Sequence, residues 1–447
     1  MLFSAILLMI GASIDMARSK GLSAQERTSG KSLDSRQGSK ALAPVASRPR
    51  RKLTIFLGAG ASTVGDYRTF LTFPHMFWPT SSEPAILTAT DKERALLSSI
   101  RRELARKKRP ATLDHFLAVL SEYNRVLQNI LADEQLRNRF TDSLLFLARI
   151  QELNQVVQRA RGHICELTVS HYRRPPSTGY IVRSARLYKR LLDAFGHLEI
   201  FTTNYDLVPE FLFSSNPWCK DLLAAWGVAD EQNVRAEAMG LLSALRQATF
   251  LNGFRDFSQA QQPCFGPWSR EVYKSQDGES SRLIELLRLH GCVAWYYQEH
   301  EQGKSVCFDV RPLESIKDVL SRLCVMYPGK DQSLGTDPHA YSFERLYDSC
   351  LRASVLLFIG FAFRDTDVIA LIFTALRNRP DRRVKVVIVD PYVDSEDLKA
   401  RIQEEGKSLA LPILTDFSLI DLIAIRSEFP PKDEFGIEVI VNALESN

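Results

Sequence analysis

The sequence predicts an α/β protein built on a doubly wound, mostly parallel sheet with large helical insertions. Two observations carry that expectation. Leu53–Leu57 (LTIFL), Val355–Ile359 (VLLFI) and Val384–Val389 (VKVVIV) are short, nearly unbroken apolar runs, the pattern of parallel strands buried on both faces. Each stops abruptly at turn residues, in order Gly58-Ala59-Gly60-Ala61-Ser62, Gly360 and Asp390-Pro391, and long stretches of helical character separate the first run from the other two.

Taken in order, Met1 to Ile14 is apolar and uncharged, shorter than the roughly 20 residues that span a bilayer, and has no positive segment before it. Residues 17–50 are rich in Ser, Gly, Ala, Arg and Lys without apolar periodicity, so 1–50 is expected to be a disordered, dispensable leader. The folded body is expected over 51–447, with helical inserts at about 76–195 and 207–282. The basic run Arg101 to Arg109 reads as a solvated helix face. Leu198 to Thr202 is a strand that runs into Thr203-Asn204-Tyr205-Asp206. Residues 219–250 read as helical and 252–281 as a long loop. Leu283 to Leu289 reads as a helical run ending at His290-Gly291, and Val293 to Tyr297 as a strand. Beyond 393, helices and a last strand at 437–441 (IEVIV) complete the expected fold.

Composition narrows the function. The net charge is +4, but residues 1–50 alone carry eight basic and three acidic side chains, which leaves the body at −1. Direct nucleic-acid binding by bulk charge is therefore not expected. Seven cysteines without a C-x-x-C pair argue against a structural zinc site and for a reducing, cytoplasmic setting.

Four strand-end segments carry the candidate chemistry, since ligands of open parallel sheets bind at the carboxyl ends of the strands. Gly58, Ala59, Gly60 and Ser62 form a turn whose N–H groups suit a pyrophosphate, although Thr63 stands where a dinucleotide fingerprint has its third glycine and a P-loop lysine is absent. Asn204 and Asp206 suit the orientation of a sugar hydroxyl or water, and Asp206 suits a helix cap equally well. His290, beside a glycine, reads as exposed and mobile enough for proton transfer, or as structural. Arg364 suits a phosphate, or an ion pair with Asp365 or Asp367. Asp390 suits ribose hydroxyls, or a turn before Pro391.

Read together, FLGAGAS (56–62), FTTNYD (201–206), LHG (289–291) and LLFIGFAFRD (356–365) resemble, in that order, the sirtuin-like NAD-hydrolase family of bacterial anti-phage defence. The resemblance spans about residues 51–392 and implies a Rossmann-like domain with NAD as substrate, held between the glycine turn and the segment that begins at Thr203. It implies that Asn204 and His290 are essential for cleaving nicotinamide from ribose, and that Ser62 and Asp206 order the ribose and phosphates. Gly360 and Ala362 fall on the adenosine side, where Ala362 replaces the family's more common serine. It further implies assembly into a homo-oligomer, and a trigger supplied either by a partner, such as one encoded in a neighbouring gene, or by the chain's own inserts. Protein-deacetylating sirtuins share most of these motifs but carry a zinc module with two C-x-x-C pairs, which this chain lacks. Deacylation, and nucleotide binding without turnover, remain the alternatives.

Overall fold

The computed structural model describes residues 52–58, 61, 90–107, 113–134, 144–173, 176–215, 232–255, 264–274, 282–300, 303–311, 315–316, 319–326, 337–361, 363, 365–379, 384–391, 400, 420–427 and 429–446. The leader expected over 1–50 lies outside the described residues. Contacts group the chain into two compact units, and 120–157 belongs to a different unit from the one that holds the sheets.

The strands are β1 (Lys52–Leu57), β2 (His197–Thr202), β3 (Thr249–Leu251), β4 (Cys264–Phe265), β5 (Leu283–Arg288), β6 (Gly291–His300), β7 (Gly303–Asp309), β8 (Leu323–Val325), β9 (Val355–Ile359), β10 (Val384–Val389) and β11 (Ile420–Ile425). The helices are α1 (Asp91–Arg106), α2 (Leu113–Ala132), α3 (Leu144–Tyr172), α4 (Thr178–Phe195), α5 (Val208–Phe213), α6 (Gln232–Leu245), α7 (Glu271–Lys274), α8 (His339–Arg352), α9 (Thr366–Arg377) and α10 (Glu434–Glu445). Seven strands form an all-parallel sheet in the order β11-β10-β9-β1-β2-β5-β3, and a separate antiparallel sheet runs β4-β7-β6-β8. Among the described residues no helix is long and apolar enough to cross a membrane.

Local chemistry sets the boundaries. Ser177 caps α4 by accepting from Tyr180 N at 3.3 Å, and Gly196 ends it in the left-handed region at φ 75°. His197 follows at once, so one glycine turns the chain from helix into β2. In α1, Arg101, Arg102, Arg106 and Lys107 at its end are exposed, as a solvated face requires.

Alternation along the strands gives one sheet face two distinct rows. Phe56, Phe201, Leu287 and Phe358 form an apolar row, with Phe56 stacked on Phe201 at 5.6 Å and on Phe358 at 4.4 Å between ring centroids. They join a buried cluster with residues of α8 and α9, such as Leu346 and Ile369. The second row is polar, with Thr54 beside Glu199 and Glu199 beside Glu285. Both carboxylates are buried, and Arg345 of α8 bridges them at 2.6 and 2.9 Å. Lys52 reaches Glu199 at 2.7 Å, Ser349 donates to it, and His197 pairs with Glu285 at 2.8 Å.

Four expectations change. Leu283–Leu289 is not helical, because Leu283–Arg288 is β5, paired with β2 and β3. Its leucines at 283, 286 and 287 imitate helical spacing, while Glu285 breaks the apolar run because it belongs to the polar row. IEVIV is not a strand but the middle of α10, where Ile437, Ile440, Val441 and Leu444 line one buried stripe and Asp433 caps the helix by accepting from Gly436 N at 2.8 Å. The edge strand is instead β11, in register with β10. The long loop expected over 252–281 contains β4 and α7, and the helical insert expected over 219–250 ends in β3 of the main sheet.

The polar row has a pH signature. Burial alone raises the Glu285 carboxyl, but the hydrogen bond from His197 and the charge of Arg345 outweigh it and hold the group below its ordinary value. A depressed carboxyl contributes stability above the unfolded value of about 4.3, and that contribution is lost as the pH falls through the folded value. Urea unfolding from about pH 6 down to about pH 3 is expected to show a steep loss of stability in the parent and a shallower one in Glu285→Gln.

Candidate active site

The parallel strands end in one row. Leu57 lies opposite Thr202 and Ile359, Thr202 opposite Arg288, and Val389 opposite Ile359. Gly58, Thr203, Leu289, Gly360 and Asp390 therefore leave the sheet side by side. The ladder continues one step past the strands, with Gly58 N donating to Ile359 O at 3.0 Å, Thr203 N to Leu57 O at 3.3 Å and Gly360 N to Val389 O at 3.0 Å.

Gly58 sits where its neighbour leaves no room. A Cβ there would lie 2.5 Å from Gly360 O and 2.6 Å from Phe361 Cα, so β1 and β9 approach backbone to backbone as they leave the sheet. Ala61 N returns to Gly58 O at 2.9 Å and closes a tight turn. The buried Tyr180 of α4 donates its hydroxyl to Ala61 O at 2.5 Å. Burial, with the nearby Asp206 charge, pushes that phenol well above its ordinary value and keeps it a donor. Asn204 completes the group by donating from Nδ2 to Gly58 O at 2.9 Å.

The segments after β2 and β5 are laced together. Leu289 N donates to Thr202 O at 2.9 Å, and Val293 N donates to Tyr205 O at 3.0 Å. Arg288 donates to Asn204 O at 2.8 Å and to Asp206 O at 2.7 Å. Its guanidinium also binds both oxygens of Glu210, at 2.9 and 2.5 Å, and both side chains are 1 % exposed. Burial opposes charge on each partner. Glu210's carboxylate outweighs it and lifts Arg288 above its ordinary value, and the arginine limits the rise that burial imposes on Glu210.

His290 is buried, not exposed as the sequence suggested, because the chain turns sharply around it. Gly291 has φ 76°, and a Cβ there would lie 2.2 Å from Cys324 O. This glycine redirects the chain from the parallel sheet into β6 of the antiparallel one. His290 O accepts from Met326 N at 2.8 Å, and Tyr205 donates its hydroxyl to Met326 O at 2.6 Å. His290 Nε2 lies 2.8 Å from Asp365 Oδ2. Burial alone raises the Asp365 carboxyl, but the hydrogen bond and charge of His290 outweigh it and hold it below the usual value. Nearby, His339 meets Leu289 O through Nδ1 at 3.0 Å, and burial pushes its pKa down to about 4, so this ring is a neutral support.

The described residues thus bring Gly58, Asn204 and His290 together through the lacing, with Thr203 and Gly360 in the adjoining ladder positions. Asp390 leaves the same edge beyond β9, its N–H donating to Ile425 O at 3.2 Å. Asp206 is buried, and its Oδ1 accepts from Val208 N at 3.0 Å in a turn just ahead of α5. It is not the cap weighed from the sequence, because the N-cap of α5 is Leu207, which makes no side-chain cap hydrogen bond. Ala59, Gly60, Ser62, Ala362 and Arg364 lie outside the described residues. Among the described residues no cluster of His, Cys, Asp and Glu has the arrangement of a metal site. A scan against protein-family models finds no match to this chain, and a search of curated proteins finds none similar to it.

Sequence reasoning passed over Arg288, Glu210, Tyr180 and the His290 side of Asp365. A charged residue closing a largely apolar segment two positions before His290 was a usable signal for Arg288. Tyr180 carried none.

Removing one partner of a buried ion pair leaves the other charge uncompensated. Arg288→Met is therefore expected to lower the unfolding free energy by roughly 3–5 kcal/mol, and Glu210→Met added to it to restore part of that loss. Urea denaturation of the three proteins measures both effects.

Proposed function

We propose that the chain is an NAD glycohydrolase that cleaves the bond between nicotinamide and ribose. The observation that supports it most is the hydrogen bond from Asn204 to Gly58 O at the row of strand ends, with His290 laced to the same segment. A turn that admits close backbone approach, a carboxamide and a histidine are the groups that a sugar–pyridinium dinucleotide needs at its pyrophosphate, its ribose and its attacking water. The motifs that resemble the sirtuin-like family, and its Rossmann-like fold, lie on these same segments. The proposal carries over the family's context as well, a regulated anti-phage effector that assembles with copies of itself and answers to a partner.

In this reading the Gly58–Ser62 turn, with Gly360, Ala362 and Asp390 toward the adenosine side, binds and orients NAD. Thr203 and Asp206 shape the ribose end. Asn204, held through its nitrogen, uses its amide oxygen for a ribose hydroxyl or the attacking water. The pyridinium is a good leaving group because it departs as neutral nicotinamide, and positive charge develops on the ribose as it leaves. His290 takes the proton of the attacking water, help worth about 10²–10⁴ in rate.

Following nicotinamide release from NAD by chromatography tests this directly. Asn204→Ala and His290→Ala are each expected to slow release by at least about 10²-fold without unfolding the protein, and the double variant to be hardly slower than either, because the two act as one unit. Release at the parental rate from both single variants contradicts the assignment. NAD-dependent loss of acetyl groups from an acetyl-lysine peptide would favour deacylation instead.

A further inference from the structure

We propose that Asp365 is the positioning residue of His290, fixing the ring so that Nδ1 is the atom that receives the proton. The inference rests on the glycohydrolase reading for its chemistry and on geometry alone for the pair itself.

The two residues come from opposite sides of β1. His290 follows β5, whereas Asp365 follows β9 and caps α9, its side chain accepting from Val368 N at 3.2 Å. Oδ1 serves the helix and Oδ2 meets His290 Nε2 at 2.8 Å, so one carboxylate performs two tasks with different oxygens. Both side chains are largely buried, at 9 % and 18 % exposure, so solvent competes weakly for the bond. An ionised carboxylate accepts hydrogen bonds and donates none. The proton on a neutral His290 must therefore sit on Nε2, which leaves the lone pair on Nδ1. No other hydrogen bond of the described residues occupies Nδ1. The ring cannot swing away without breaking a charge-assisted bond.

The hydrolysis then balances. Water attacks C1′ of the ribose as the C1′–N bond breaks, and the bonding pair leaves with the pyridinium nitrogen as neutral nicotinamide. One water proton passes to His290 Nδ1 and from there to solvent, giving ADP-ribose, nicotinamide and one proton. Throughout, Asp365 holds Nε2–H and steadies the imidazolium that forms.

Asp365→Asn separates this role from capping. Asparagine caps a helix about as well as aspartate, so α9 and the melting temperature are expected to change little. Its amide nitrogen, however, donates to Nε2 and moves the ring proton to Nδ1, the wrong tautomer for the proposed step. Two readouts apply, both on the full chain at a pH where the ring is neutral. The ¹⁵N shifts of His290, assigned by comparison with His290→Ala, are expected to report Nε2–H in the parent and Nδ1–H in Asp365→Asn. Nicotinamide release is expected to fall in kcat by roughly 10²–10⁴-fold with KM little changed, and Asp365→Glu to recover part of it. A tautomer that the substitution does not alter overturns the proposal, as does an unchanged kcat in an active parent. If the tautomer switches but the parent releases no nicotinamide from NAD even with its activating partner present, the pair stands and the glycohydrolase reading falls.

Discussion

The site depends first on Arg288. It is the last residue of β5, it is fully buried, and it holds the backbone oxygens of Asn204 and Asp206 while Glu210 balances its charge. A guanidinium carries five donors in a rigid fork, which suits it to gather carbonyls and a carboxylate at once. With the ladder bonds of Leu289 and Val293, it fixes the Thr202–Asp206 segment to the chain on either side of His290. Two segments far apart in sequence then move as one piece. A neutral or shorter side chain would remove the guanidinium's bonds to both carbonyls, and hydrogen bonds to a charged group are worth about 1.5–3 kcal/mol each.

Around that clamp, the parallel register brings the remaining groups within reach. Because β1 lies between β2 and β9, the turn after it is flanked by the Asn204 segment on one side and the Gly360 segment on the other. The missing Cβ of Gly58 allows β9's exit to press against the turn, and Asn204 closes it from the opposite side. His290 and Asp365 then meet across β1 and β2. The second sheet also contributes, since Gly291 can take its positive φ and deliver the chain into β6 only where no side chain meets Cys324 O.

Sequence legibility followed burial pattern. β1, β9 and β10 were readable because a strand covered on both faces is almost wholly apolar, broken inside only by Thr54 in β1 and Lys385 in β10, and no competing period exists in five or six residues. β5 was not, because its face includes the polar row and its exit includes the clamp, so Glu285 and Arg288 disguised a central strand as an amphipathic helix. IEVIV erred the other way. Its β-branched residues favour strands locally, but a cap at Asp433 and apolar residues spaced for one helical stripe overrode that propensity. The strand-end segments were legible because turn chemistry is local. The His290–Asp365 pair was not, because tertiary structure alone joins a helix cap to a residue across two intervening strands.

The central claim is that the exits of β1, β2, β5 and β9 make one nucleotide crevice. ADP-ribose carries the pyrophosphate and both riboses yet has no bond left to cleave, so it probes the crevice without turnover. Hydrogen–deuterium exchange of the full chain, with and without saturating ADP-ribose, measures it most directly. The expected result is joint protection of peptides covering 57–61, 202–206, 289–293 and 359–363. Protection of none of them, or protection confined elsewhere in the chain, would contradict the account.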